Sequence, residues 1–137
     1  MVNPEFLCRR HLLGEHLEVH MFVGAIKSAI NRGRKIEDSL RGYIENGLVE
    51  TDKLFDRHEN LVIEMLSRGF RHSSPIEKLD SDFDSSLGRV DVSASIVELI
   101  RRCQDCHKRI RRYGEFESST KRDRKERSKL NEWKRRC

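Results

Sequence analysis

Residues 11–20 read HLLGEHLEVH, placing His11, His16 and His20 beside Glu15 and Glu18 within ten positions. Imidazoles and carboxylates at this density can bind a metal, relay protons, or cover a solvated helix face. Helical periodicity of about 100° per residue sorts them. With Leu12 at zero, His11, Glu15, Glu18 and Phe22 fall together on one flank, between roughly −60° and −120°. His16 sits about 40° from Leu12, on the core stripe, and His20 about 80° away on the opposite flank. His16 and His20 have the i,i+4 spacing of zinc helices, but there is no HExxH, because the glutamate stands four residues after the first histidine. A packed, hydrogen-bonded His16 and no metal are therefore expected. Glu15 and Glu18 keep two readings: solvated flank residues, or a partly buried carboxylate whose raised pKa suits acid–base work.

A second constellation, CQDCH at 103–107, matches the haem-attachment spacing. It falls inside a predicted helix and no export signal is evident, which argues against haem. It is also half a zinc site, with Cys8 and Cys137 as candidate partners, but no second CxxC exists. Packed free thiols are the expectation. NRGRK at 31–35 is a short basic turn of a kind that can meet a phosphate backbone. There is no GxGxxG, no Walker lysine motif and no GxSxG.

These groups need elements to hold them. The first predicted helix begins at Asn3-Pro4, where proline wastes no donor, or later near Arg9, and stops at Gly33. Its stripe is Leu12, Val19, Val23, Ile26 and Ile30. Residues 34–50 read as a long loop with one helical turn, Ile36–Tyr43. A second helix begins near Thr51 or Asp52, carries Leu54, Phe55, Leu61, Val62, Met65 and Leu66, and ends at Gly69-Phe70. Residues 71–90, with Pro75, Gly88 and SDFDSS, form a connector. The third helix begins near Ser93, or at Ser95 with Glu98 as a capping box, and carries Ile96, Leu99, Ile100, Cys103, His107 and Ile110. Beyond Tyr113-Gly114 the chain loses apolar periodicity and reads as a tail that is disordered or a solvated helix. The predicted fold is all-α: a compact single domain of three main helices with long connecting loops (residues 1–114) and a basic C-terminal extension (115–137).

Charge separates the same two parts. The 137 residues carry +5 overall, with 37% charged and 36% hydrophobic residues. From Lys108 onward there are 13 Lys or Arg against 5 Asp or Glu, leaving −3 on the preceding part. A basic terminus suits phosphates, an anionic surface or an acidic partner. No apolar run reaches the length of a transmembrane helix and no signal peptide is evident, so a cytoplasmic monomer without membrane partners is expected.

The run HLLGEHLEVHMFVGAIKSAINRGRKI resembles the first helix of the phage-type ultraviolet endonucleases, which are pyrimidine-dimer DNA glycosylases with apurinic/apyrimidinic lyase activity. KLFDRHENLVIEMLSRGF is similar to that family's second helix, and VSASIVELIRRCQDCHKRI followed by RRYG is a weaker match. The resemblance implies a compact helical fold and a DNA repair enzyme acting on double-stranded DNA with a damaged or abasic nucleotide, with no metal or other cofactor. It implies that Met1 is removed and that the α-amine of Val2 attacks C1′ to form a Schiff base. α-Amines titrate low enough to supply a useful neutral fraction near pH 7. Glu18 takes the place of the family's catalytic glutamate, His11 that of its helix-one histidine, and Glu15 that of an acidic partner. Three family arginine positions hold Leu17, Met21 and Asn3 here. Arg9, Arg10, Arg32, Arg34 and Lys35 are candidates to replace those phosphate contacts. Asn3, His16 and Tyr113 complete the candidate substrate-binding set. The competing readings are a non-catalytic nucleic-acid-binding protein of the same fold and a helical protein-interaction module.

Overall fold

The computed structural model describes residues 1–76 and 87–123, with side chains to residue 113. Asn3 accepts a hydrogen bond from the Glu5 amide at 3.1 Å and opens a single 3₁₀ turn, Pro4–Phe6. The chain then extends through Leu7 and Cys8, and α1 (Arg9–Asn31) begins. The later of the two predicted starts is the observed one. The Asn3-Pro4 pair caps a separate turn, which leaves the first residues free to fold back along α1. Leu12, Val19, Val23 and Ile26 are buried as the stripe predicted, but Ile30 is half-exposed and Ala29 is covered in its place. Gly33, at φ 64°, ends the helix, with Arg34 N–H reaching the Ala29 carbonyl at 2.8 Å.

The predicted single turn at 36–43 is two short helices, α2 (Ile36–Ser39) and α3 (Arg41–Glu45). They meet at Leu40, whose side chain is buried in the core. A 3₁₀ turn at Thr51–Lys53 leads into α4 (Leu54–Ser67). Leu54, Leu61, Val62 and Met65 are buried as expected, whereas Leu66 is exposed. Gly69, at φ 81°, stops α4, with Phe70 N–H returning to the Met65 carbonyl at 3.0 Å. α1 packs along α4, and their buried faces make most of the core.

The predicted third helix is two. α5 (Val92–Arg102) starts at Asp91, whose carboxylate accepts from Ala94 N–H at 3.0 Å, and α6 (Gln104–Asp123) follows at once. Cys103 between them is extended (φ −131°, ψ 107°), so CQDC opens a helix instead of lying inside one. α6 packs on α5 and on the 3₁₀ turn Pro4–Phe6. Arg68 and Arg109 fasten that turn by donating to the carbonyls of Pro4 and Glu5, at 3.2 Å and 2.8 Å, and both pair with Glu64. α6 also runs past residue 114, where periodicity placed the end of the domain.

Of the connector, residues 77–86 with all of SDFDSS lie outside the described residues. Leu87–Val90 docks on Val49–Thr51: Thr51 and Leu87 exchange hydrogen bonds, and Val90 N–H donates to the buried Glu50 carboxylate at 2.8 Å. Gly88 makes this approach, because a β-carbon there would lie 2.3 Å from the Val49 carbonyl oxygen and its φ is 80°. The described residues are all-α and contain no strand, as the sequence predicted.

Candidate active site

The α1 flank picked out by periodicity faces a cavity of about 500 Å³. His11, Glu15, Glu18 and Phe22 all line it, as do Arg10, Val19, Leu48, Val49, Leu54 and Val90. Most of the wall is apolar, and the polar groups converge from α1 and from the chain start: Met1 and Val2 form part of the same wall.

Arg57 holds the chain start there. It is 5% exposed, donates from Nε to Glu15 Oε1 at 2.6 Å, and donates from Nη1 to the Val2 carbonyl at 2.6 Å. A guanidinium can serve both because its donors form a rigid fork, and the charge is offset by Glu15. The Val2 side chain is itself buried against the core, so both its backbone and its side chain are fixed. The periodicity of α4 carried a signal for this residue. Arg57 and His58 fall on the same stripe as Leu54 and Leu61, where a charged side chain requires a partner.

Burial pushes the Glu18 carboxyl above its ordinary range, and the charge of Glu15 adds to that. The second sequence reading of this flank is thus the one the geometry favours: a half-buried carboxylate, shifted upward, beside a second carboxylate neutralised by Arg57. Glu50 is shifted the other way, first by the Val90 amide and then by Lys53, with a smaller contribution from the N-terminal ammonium.

The other candidate residues are dispersed. Asn3 caps the first turn, and Arg9 lies over the Phe70 ring at 5.4 Å. Arg32, Arg34 and Lys35 are exposed at the far end of α1 and line neither this cavity nor its extension. Tyr113 is flanked by Arg109 and Arg112 at 5.2 and 5.9 Å. Leu17 and Met21, at two of the arginine positions, are exposed apolar residues. The cavity continues past His11, Leu48 and Leu99 into a shallower cleft that adds Arg89 and Arg102, two cations the sequence reading did not select.

His16 is buried, as expected, but His20 is no outlier. The two rings are 4.7 Å apart and both meet His58 of α4, with Nε2–Nε2 distances of 3.1 Å for His16 and 3.2 Å for His20. His72, beyond α4, closes the group. Burial, then the neighbouring imidazoles, push His16 down to about 4. Periodicity separates these residues within α1, and the element that joins His16 to His20 is α4. A second group forms where α1 meets the α5–α6 junction: Cys8, His11, Cys103 and Cys106. Burial pushes the Cys106 thiol up to about 12, while the Cys106 amide holds Cys103 below its ordinary value. Each group of four offers ligand atoms that lie within 4.8 Å of one another.

No curated protein and no solved structure matches the chain. A family model described as pyrimidine dimer DNA glycosylase matches residues 1–78, which hold the chain start, all of α1 to α4, and Val2, Glu15, Glu18 and Arg57 of the cavity. Covering more than half of the sequence, that match establishes that the chain belongs to the pyrimidine dimer DNA glycosylase family.

Proposed function

We propose that the chain is a glycosylase and lyase of damaged DNA that acts through the α-amine of Val2, exposed by removal of Met1. The observation that carries this reading is the clamp Val2–Arg57–Glu15 beside Glu18 in one cavity. A nucleophile on a chain terminus needs its backbone fixed, and Arg57 does so at the carbonyl of the reacting residue itself.

The target nucleotide is turned out of the stack, because C1′ is poorly reachable within a duplex. The apolar wall of Leu48, Val49, Val90 and Phe22 receives it. The neutral amine of Val2 attacks C1′, and the C1′–N bond breaks, with its electron pair and a proton going to the departing base. Loss of the ring oxygen's bond to C1′ gives a protonated imine between Val2 and the opened deoxyribose. A base removes a proton from C2′, the 3′ phosphate leaves, and the strand is cut. The upward shift of the Glu18 carboxyl by burial supports assigning it to give and take these protons. As a carboxylate it stabilises the cationic imine. At an abasic site the same amine meets the sugar aldehyde and loses water instead of a base.

Processed protein incubated with abasic or dimer-containing duplex and borohydride should give one covalent adduct, with peptide mass placing it on Val2. Absence of an adduct from protein shown by intact mass to begin at Val2 would overturn the reading. Glu18→Gln should lower strand cleavage on the order of a hundredfold while equilibrium binding changes little. Unchanged cleavage would reject Glu18 as the proton carrier.

A further inference from the structure

We propose that Cys8, His11, Cys103 and Cys106 form a zinc site that ties the start of the chain to the α5–α6 junction. Cys8 Sγ lies 3.2 Å from His11 Nδ1 and 3.9 Å from Cys103 Sγ, and Cys106 Sγ lies 3.4 Å from His11 Nδ1. Zn–S and Zn–N bonds of about 2.3 and 2.0 Å at tetrahedral angles require edges of about 3.8 Å between sulfurs and 3.5 Å between sulfur and nitrogen. These three edges are close to that size, and all four ligand atoms lie within 4.8 Å of one another. The sequence supplies the two halves as CRRH and CQDC, each with ligands three residues apart.

Both halves use one local device. Cys8 precedes the first residue of α1 and His11 lies in its first turn; Cys103 and Cys106 stand in the same places on α6. Two helix N-termini therefore converge on the group. Amide donors support the sulfurs: Cys8 N–H reaches Cys106 Sγ at 3.2 Å and Cys106 N–H reaches Cys103 Sγ at 3.5 Å. Backbone support of this kind orients ligands around a metal. All three thiols are unpaired, and Cys106 is fully buried. With Nδ1 turned to the thiols, His11 keeps only Nε2 for the cavity it lines.

A different observation assigns a second cation site to His16, His20, His58 and His72. His58 Nδ1 faces the Glu59 carboxylate at 3.1 Å, so its Nε2 carries the lone pair, yet His16 and His20 both present Nε2 to it. One lone pair cannot serve two donors well, and the Nε2 of His72 is buried with no hydrogen-bond partner. The outer nitrogens are held as in metal–imidazole sites: His58 by Glu59 and His20 by the Ser74 carbonyl. Four inward imidazole lone pairs suit a borderline divalent ion such as zinc.

Full-length protein purified without chelator should contain two zinc ions per chain by elemental analysis and native mass spectrometry. Cys106→Ser should lose one of them. The double variant His20→Gln/His72→Gln, which leaves buried His58 in place, should lose the other. Cobalt titrated into the demetallated wild type should give a thiolate-to-cobalt charge-transfer band, and zinc should protect three of the four thiols from alkylation. Those two measurements decide the thiolate site even where Cys106→Ser fails to fold. Iron in place of zinc, a Cys8–Cys103 disulfide, or no charge-transfer band overturns the thiolate site. One zinc in the wild type that the double-histidine variant retains overturns the histidine site.

Discussion

Arg57 is a buried charge with two oxygens to satisfy it, and they belong to opposite parts of the site: Glu15 on α1 and the carbonyl of Val2. Removing the guanidinium frees the chain start and leaves Glu15 without its cation. Glu15 is 27% exposed, so water takes over part of the lost interaction. Arg57→Ala is then expected to cost about 2 kcal/mol, less than a fully buried pair would. Arg57→Lys places a point charge that reaches one oxygen and not both. It should recover much of the stability, read by thermal denaturation, without recovering the rate of imine trapping at saturating DNA. Equal recovery of both quantities would mean that Arg57 supplies charge alone and does not position Val2.

At the scale of elements, Gly88 and Gly24 make a matched pair of tests. A β-carbon on Gly88 would meet the Val49 carbonyl at 2.3 Å, and its φ of 80° is one that L side chains rarely adopt. Gly88→Ala should therefore destabilise by about 2–3 kcal/mol in denaturant unfolding and loosen the wall formed by Val49 and Val90. Gly24 lies mid-helix with nothing within 4 Å of the added carbon. Gly24→Ala should stabilise by about 0.5–1 kcal/mol. A loss at Gly24 matching that at Gly88 would show that the clash is not the cause. The same contrast explains how far the sequence could be read. The stripe through Leu12, Val19, Val23 and Ile26 is a property of one helix, so periodicity found it, and with it the flank of His11, Glu15 and Glu18. Gly33 and Gly69 marked helix ends for an equally local reason. The meeting of His20 with His58, or of Cys8 with Cys103, depends on how helices cross over 38 and 95 residues of separation. Nothing within either helix encodes that crossing. The break at Cys103 was hidden because Leu99, Cys103 and His107 continue one stripe while the backbone turns between them.

At the scale of the molecule, charge is split between the part bearing the cavity and the C-terminal end. The first 107 residues carry −3, and the remaining 30 carry +8. A polyanion approaching the carboxylates Glu15 and Glu18 gains from Arg10, Arg89 and Arg102 around the cavity and cleft, but Arg89 and Arg102 are already paired with Asp52 and Glu98. The larger electrostatic attraction is then expected from the C-terminal cations, since phosphate neutralisation acts without sequence preference through release of counterions. Each phosphate neutralised contributes about 0.9 to the slope of log K against log salt. Replacing Arg124, Lys125, Arg127 and Lys129 by glutamine should lower that slope by up to about 3.6 and weaken binding most at low salt. Borohydride trapping at saturating DNA should stay unchanged, because phosphate affinity no longer limits the reaction once the protein is fully bound. A slope that does not move would place the phosphate contacts on α1 and the cleft instead. A trapping rate that falls at saturation would mean that the basic terminus acts on the reacting nucleotide as well as on the backbone.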